Sequence, residues 1–261
     1  MMKKGGAVSA VGKSEPEEKY AKYINSVSRH YISNSGFDEN GGFSGGEAGD
    51  QTGREWELRT WYNRPWSCVL RYPDQRVALK IAQLGIDAAL NDMIGYDQKQ
   101  RETYWEQLKT VHYDPSRITV ACEADCSSGI CANVRAVGYI CGIKELQNHG
   151  GSFTGNMRAA FRDAGFTVLT DSRFLSSPDY LLPGDILLYD GKHTSTNVTV
   201  GSRARSGWNP EMYGAEHPQK DKDRENQYAA EAKTCVCHQQ VLFNSEGIHR
   251  GGSGILSRNP D

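Results

Sequence analysis

No run of about 20 apolar residues occurs in the chain, so no transmembrane helix is expected. The N-terminus opens on two methionines, Lys3 and Lys4, and Gly5, Gly6 and Ser9 come soon after them. That leaves no apolar stretch of the kind a secretory signal needs. The expectation is synthesis in the cytoplasm, with any action outside the cell depending on release or export by another route. A surplus of charge is also missing: 30 basic residues face 32 acidic ones, for a formal net charge of -2, and no long basic stripe appears. This balance excludes the electrostatic field that gathers a nucleic acid. No internal repeat is visible, and nothing in the sequence specifies an oligomeric state.

What is present is an ordinary globular composition. The chain has 261 residues, 38% hydrophobic and 24% charged. That is enough for one large domain, or for a catalytic domain of about 150 residues with flanking extensions. The division expected is a polar, partly disordered N-terminal extension over 1–48, a main domain over 49–201, identified as catalytic by the resemblance given below, and a C-terminal extension over 202–261 that could complete a sheet. Residues 17–31 carry Tyr20, Tyr23, Ile24 and Val27 at helical spacing. Residues 33–53, dense in Gly, Asp, Glu and Asn, read as loop. Asp74 to Asp92 is the clearest helix, with Val77, Ile81, Leu84, Ile86, Ala89 and Leu90 as its apolar stripe and Asp74 as a cap. A more polar helix is expected over 98–108, then a β-prone run over 118–121.

A helix starting directly after Cys126 is predicted from Ile130, Cys131, Val134, Val137, Ile140 and Cys141; Cys131 and Cys141 read as buried packing. A short helix over 156–164 ends at Gly165. Thr167 to Leu169 begins a β-rich half, and a strand is expected after the turn Leu182-Pro-Gly-Asp. Asp190-Gly191 then reverses the chain into a strand over 193–200, so the pair forms a hairpin. The fold class is α+β. A further strand is expected over 235–243, and the charge run over 218–225 reads as a solvated face.

Seven cysteines are an odd number, which leaves at least one outside any complete disulfide set. Cys126 stands out because Glu123-Ala-Asp-Cys-Ser-Ser128 sits at a helix start. Free amides and the dipole there favour a thiolate, so a lowered thiol pKa is expected. The same amides can hold an oxyanion. A cysteine nucleophile needs a base and a group to orient it. His193, opening a strand after a hairpin turn, is the base expected. For the orienting group Asn197 shares its strand face but lies about 13 Å along it. Asn209 and Glu211 are the alternatives, if the chain returns there. The segment from Trp56 to Trp66 holds four aromatics, read as core packing and a loop anchor, with a substrate-groove wall as the functional alternative.

Asp125-Cys126-Ser127 at a helix start, followed by Pro183-Gly-Asp-Ile-Leu-Leu-Tyr189 and His193, resembles the NlpC-type and CHAP-type cell-wall peptidases and amidases. Gly49-Asp-Gln-Thr-Gly53, Trp61-Tyr-Asn-Arg-Pro-Trp66 and Ile94-Gly-Tyr-Asp-Gln-Lys-Gln-Arg101 look like endolysins of phages and prophages of Gram-positive bacteria. The resemblance covers roughly residues 49–201. It implies a papain-like fold, with the nucleophile at a helix start packed on a small antiparallel sheet. It also implies a Cys126–His193 catalytic pair, Tyr96 as an active-site tyrosine, and Trp61, Trp66, Asp125 and Ser127 at the substrate. The usual His-Val-Ala or His-Val-Gly is replaced here by His193-Thr-Ser-Thr. The implied reaction is acyl transfer on bacterial peptidoglycan peptide, as an endopeptidase or as an N-acetylmuramoyl-L-alanine amidase. It requires no cofactor and no metal.

Two rivals differ in kind. Cys235-Val-Cys-His238 offers soft metal ligands, with Cys122 and Cys126 as partners across the fold, but no second group at structural-zinc spacing. A non-catalytic wall-binding protein would use the Trp-rich segment to stack on glycans.

Overall fold

The computed structural model describes residues 15–208. The elements in chain order are α1 (Glu15–Ile24), β1 (Tyr31–Ser35), β2 (Trp56–Thr60), β3 (Cys68–Arg71), α2 (Gln75–Ala88), β4 (Ile94–Tyr96), α3 (Thr103–Thr110) and β5 (Cys122–Ala124). They continue as α4 (Cys126–Cys141), α5 (Lys144–Gln147), α6 (Met157–Asp163), β6 (Thr167–Leu169), α7 (Ser172–Leu175), β7 (Ile186–Tyr189) and β8 (His193–Asn197). Six strands form one sheet in the order β2-β1-β8-β7-β3-β6, and every neighbouring pair is antiparallel. β4 and β5 make a separate parallel pair. The architecture is α+β, as expected.

Side-chain alternation sends the central strands' apolar residues to two cores. Cys68 and Leu70 of β3, with Ile186 and Leu188 of β7, pack with Val77, Ile81 and Leu84 of α2 and Val134 and Val137 of α4. Val69 and Leu187 point the other way, to Ile32, Trp66, Phe174 and Leu181. Because both faces are covered, these strands read as continuous apolar runs. Each fully buried aliphatic side chain here contributes about 1.5–3 kcal/mol.

The Pro-Gly-Asp turn is a structural clamp. Gly184 has φ +87, and a Cβ there would lie 1.9 Å from the Ala78 carbonyl oxygen, so only glycine lets the turn meet α2. Asp185, buried, takes a two-pronged bond from Arg71 (Nε at 2.7 Å, Nη2 at 2.6 Å) and the Leu182 amide at 2.8 Å. Removing either partner would leave a buried charge unpaired. In the next hairpin Gly191, at φ +67, sits in the three-residue loop between the paired Tyr189 and His193.

Several sequence expectations shift. The loop expected over 33–53 contains part of β1, whose residues Tyr-Ile-Ser-Asn-Ser show no apolar alternation; all but Tyr31 are buried. β1 lies between β2 and β8, so the boundary drawn at residue 49 falls inside this body, and residues 15–48 supply α1 and a central strand. The β-prone run over 118–121 is not a strand; β5 begins at Cys122, where pairing to β4 selects it. Cys141 is exposed rather than packed, whereas Cys68, Cys122, Cys126 and Cys131 are buried free thiols. The strand expected over 235–243, Cys235, Cys237 and His238, Asn209 and Glu211 lie outside the described residues. Among the described residues no helix is long and apolar enough to cross a membrane, and no group of three or more His, Cys, Asp or Glu could hold a metal ion.

Candidate active site

Cys126 is the first residue of α4, and Asp125 is its N-cap. The Asp125 carboxylate accepts the amides of Ser127 at 2.9 Å and Ser128 at 2.7 Å, while the Ser128 hydroxyl accepts the Asp125 amide at 2.9 Å. This reciprocal capping box fixes the first turn. Gly129 donates its amide to the Asp125 carbonyl at 3.0 Å. The Cys126 amide is not taken by the cap, so it remains available to a developing oxyanion. Glycine at 129 lets α4 lie against Trp56, since a Cβ there would come within 2.5 Å of the indole.

Arg101 ties this turn to its surroundings. Its Nη2 reaches Asp125 Oδ2 at 3.1 Å and Ser127 Oγ at 3.0 Å, and it also donates to the Ser152 carbonyl. The roles expected for Asp125 and Ser127 at the substrate therefore compete with structural ones: both side chains are buried and already engaged. Backbone amides of Thr194 and Ser127 point at the Cys126 thiol, which places it beside the start of β8, one residue from His193. Together with Arg101 they favour a thiolate, but burial outweighs them and pushes the thiol up to about 12. Burial is the largest influence on this thiol and the charge of Asp125 the next, so its pKa moves against the lowering expected from the sequence.

His193, also buried, is held by a residue the sequence did not single out. Its Nε2 donates to Asn34 Oδ1 at 2.9 Å. Continuing the β1–β8 register sets Asn34 opposite Ser195, whose hydroxyl donates to the same oxygen at 2.8 Å. The Tyr62 hydroxyl adds a third, longer bond at 3.4 Å. With Nε2 protonated, the lone pair of a neutral imidazole resides on Nδ1. Trp66 stacks on the imidazole at 6.2 Å between centroids and 28° between planes. Burial, then the charges of Arg64 and Arg59, press His193 down to about 3. At neutral pH the pair therefore rests as a thiol and a neutral imidazole.

Asn197 is occupied elsewhere: its Oδ1 meets His30 Nε2 at 2.6 Å, and its Nδ2 donates to the Leu182 and Thr199 carbonyls, each at 2.9 Å. Tyr96 is buried at the end of β4, and its hydroxyl accepts from Gln98 Nε2 at 3.1 Å. Burial, followed by the charge of a Cys126 thiolate, holds that phenol protonated. Trp66 belongs to the core beneath His193, and Trp61 is a half-buried member packed on the same cluster.

The Gly49-Asp-Gln-Thr-Gly53 motif organises the loop leading to β2. Asp50 collects the amides of Thr52, Arg54, Glu55 and Trp56. Glu55 Oε2 accepts the Tyr96 amide at 3.0 Å, and Glu123 Oε1 accepts the Gly49 amide at 2.6 Å. The loop thereby fixes the strands that carry Tyr96 and lead into Cys126. Glu123 keeps its second oxygen buried without a partner. Burial and neighbouring carboxylates raise it to about 8.

A family model for an endolysin-like domain matches residues 32–204, more than half of the chain. The chain belongs to the endolysin-like domain family. The matched span opens inside β1 and closes after β8, so this endolysin-like domain includes Asn34 as well as Cys126 and His193. No curated protein and no solved structure matches it.

Proposed function

We propose that this endolysin-like domain is a papain-like cysteine hydrolase, of the NlpC or CHAP kind, that cuts an amide bond in the peptide of bacterial peptidoglycan. Family membership supports the cell-wall substrate. One observation carries the mechanism. A helix-start thiol lies against the strand of a histidine whose Nε2 is held by an asparagine, which leaves Nδ1 as the basic nitrogen.

In this reading Cys126 is the nucleophile, His193 the base and Asn34 the group that orients it. As Sγ attacks the carbonyl carbon, its proton passes to His193 Nδ1, and the oxyanion is held by the Cys126 amide. The imidazolium then protonates the leaving amine, and the C–N bond breaks to leave a thioester. Water, losing a proton to His193, attacks the thioester; the acid departs and the thiol regains its proton. Tyr96 lines the same site as a neutral hydrogen-bonding group. Asn34 holds the tautomer and ring orientation that each proton transfer needs.

The test is mass spectrometry of purified peptidoglycan after incubation with the intact protein and with Cys126→Ala. New peptide ends that appear only with the wild type are expected. Ends within the stem indicate an endopeptidase, and a freed L-alanine amine indicates an amidase. Equal digestion by the variant would remove Cys126 from the chemistry, and wall binding without digestion by either protein would favour a binding module.

A further inference from the structure

Two guanidinium groups bring positive charge to His193, and they differ in one respect. Arg59 has a carboxylate partner, with Nη1 3.6 Å from Glu57 Oε1. Arg64 makes no ion pair with any acidic side chain among the described residues. Among the described residues its side chain's one hydrogen bond runs from Nη1 to the Tyr62 hydroxyl at 3.2 Å, and its guanidinium packs 6.0 Å from the Tyr189 ring centroid. It is half-buried rather than waving in solvent. Tyr62 in turn donates to Asn34 Oδ1, the oxygen that holds His193. A chain of three hydrogen bonds therefore joins an unpaired cation to the base.

This arrangement is unfavourable for the chemistry unless something neutralises it. A base that must become an imidazolium is placed beside an uncompensated cation, which opposes that step. A surface arginine could avoid the penalty by turning into water, but Tyr62 and Tyr189 hold this one in place. An arginine fork with most of its donors free, joined by hydrogen bonds to the residue that holds His193, is matched by a carboxylate. Peptidoglycan stem peptides carry such groups as α-carboxylates and terminal carboxylates, and these become neutral when amidated.

We infer that Arg64 is a specificity-determining residue that binds a free carboxylate of the peptide close to the amide being cut, so that acidic stem peptides are preferred over their amidated forms. The inference rests on the hydrolase reading above and names the substrate feature which that site selects. The bound carboxylate supplies the missing counter-charge, so the correct substrate also makes His193 a better base. Peptides lacking it meet an uncompensated guanidinium and a poorer base.

The experiment uses the full chain and the stem tetrapeptide L-Ala-γ-D-Glu-meso-diaminopimelate-D-Ala, with three derivatives in which one carboxylate is converted to the carboxamide. Cleavage rates are compared for wild type, Arg64→Gln and Arg64→Lys. In parallel, binding of the same four peptides to Cys126→Ala is measured with and without Arg64→Gln. With wild type, one carboxamide is expected to lower kcat/KM on the order of 10- to 100-fold, the loss of a charge-assisted bond in a partly buried site. Arg64→Gln should erase that preference, and Arg64→Lys should restore part of it. Equal rates for acid and all amides with wild type, or a preference that survives Arg64→Gln, overturns the inference and leaves the hydrolase reading standing. Should no peptide be cut, the hydrolase reading falls on this substrate, and the binding arm decides for Arg64. Arg64-dependent discrimination between acid and amide supports it, and indifference overturns it.

Discussion

The two halves of the active site solve opposite electrostatic problems. On the thiol side, the polar groups that frame Cys126 are already paired: Asp125 has Arg101 and two amides, and Arg101 spans three acceptors. On the imidazole side, Asn34 is saturated with donors, yet Arg64 lacks a counter-ion among the described residues. The helix end is complete by itself, whereas the sheet end awaits an anion. If Cys126 and His193 form the proposed pair, only half of its electrostatics is supplied by the described residues.

Deleting the nucleophile is the severest challenge to this division of labour. Cys126→Ala should lower kcat about 10^4-fold or more, measured on peptidoglycan fragments, because nothing else in the site replaces the thiol. Asn34→Ala comes next, with a fall on the order of 10- to 100-fold in kcat and little change in KM. If it instead behaves like wild type, the orienting role belongs to another residue.

Two titrations then probe each half separately. Followed by NMR, His193 should show a midpoint moved upward from about 3 in Arg64→Gln, because a cation that opposes protonation is gone. The acidic limb of kcat/KM, which needs the neutral imidazole, should move up with it. Followed by alkylation against pH, Cys126 should show a midpoint moved upward in Arg101→Met, because a cation that favours the thiolate is gone. Shifts of opposite sign in these two variants would contradict the charge assignments.

The smallest effect concerns stability. Glu123 is raised from an ordinary 4.5 to about 8, so its favourable contribution is whole below pH 4.5 and is lost as pH rises toward 8. Glu123→Gln should flatten that dependence, raising Tm by a few degrees at pH 8.5 relative to wild type and by less at pH 5.

Much of the scaffold was legible because its signals are local. β6 opens the β-rich half expected from residue 167, α2 starts on the cap expected at Asp74, and α4 starts at Cys126, where a helix was expected. The hairpin carrying His193 follows from its Asp-Gly turn. The orienting residue was not legible, because β1 is short, polar and buried on both faces and so lacks the period-two pattern that marks a strand. Asn34 also lies 159 residues from His193 in sequence, and only sheet pairing brings them together. The burial of the thiol was not legible for a related reason: a helix start is visible in sequence, but the depth at which the fold buries it is not.

The position of β1 has a further consequence for how the protein becomes active during synthesis. Asn34 is translated early, Cys126 midway and His193 late, and β1 can close on β8 only after the intervening chain has been made. The pairing of β1 with β8 is thus a long-range contact, and loops of that length close slowly. Until it forms, the imidazole has no Asn34 amide to steady it, so on the hydrolase reading a nascent or partly folded chain carries a thiol and a histidine with a poorly oriented base. On the hydrolase reading, completion of the sheet is the step that orients the base, and loss of β1 would remove both Asn34 and the strand that β8 pairs with.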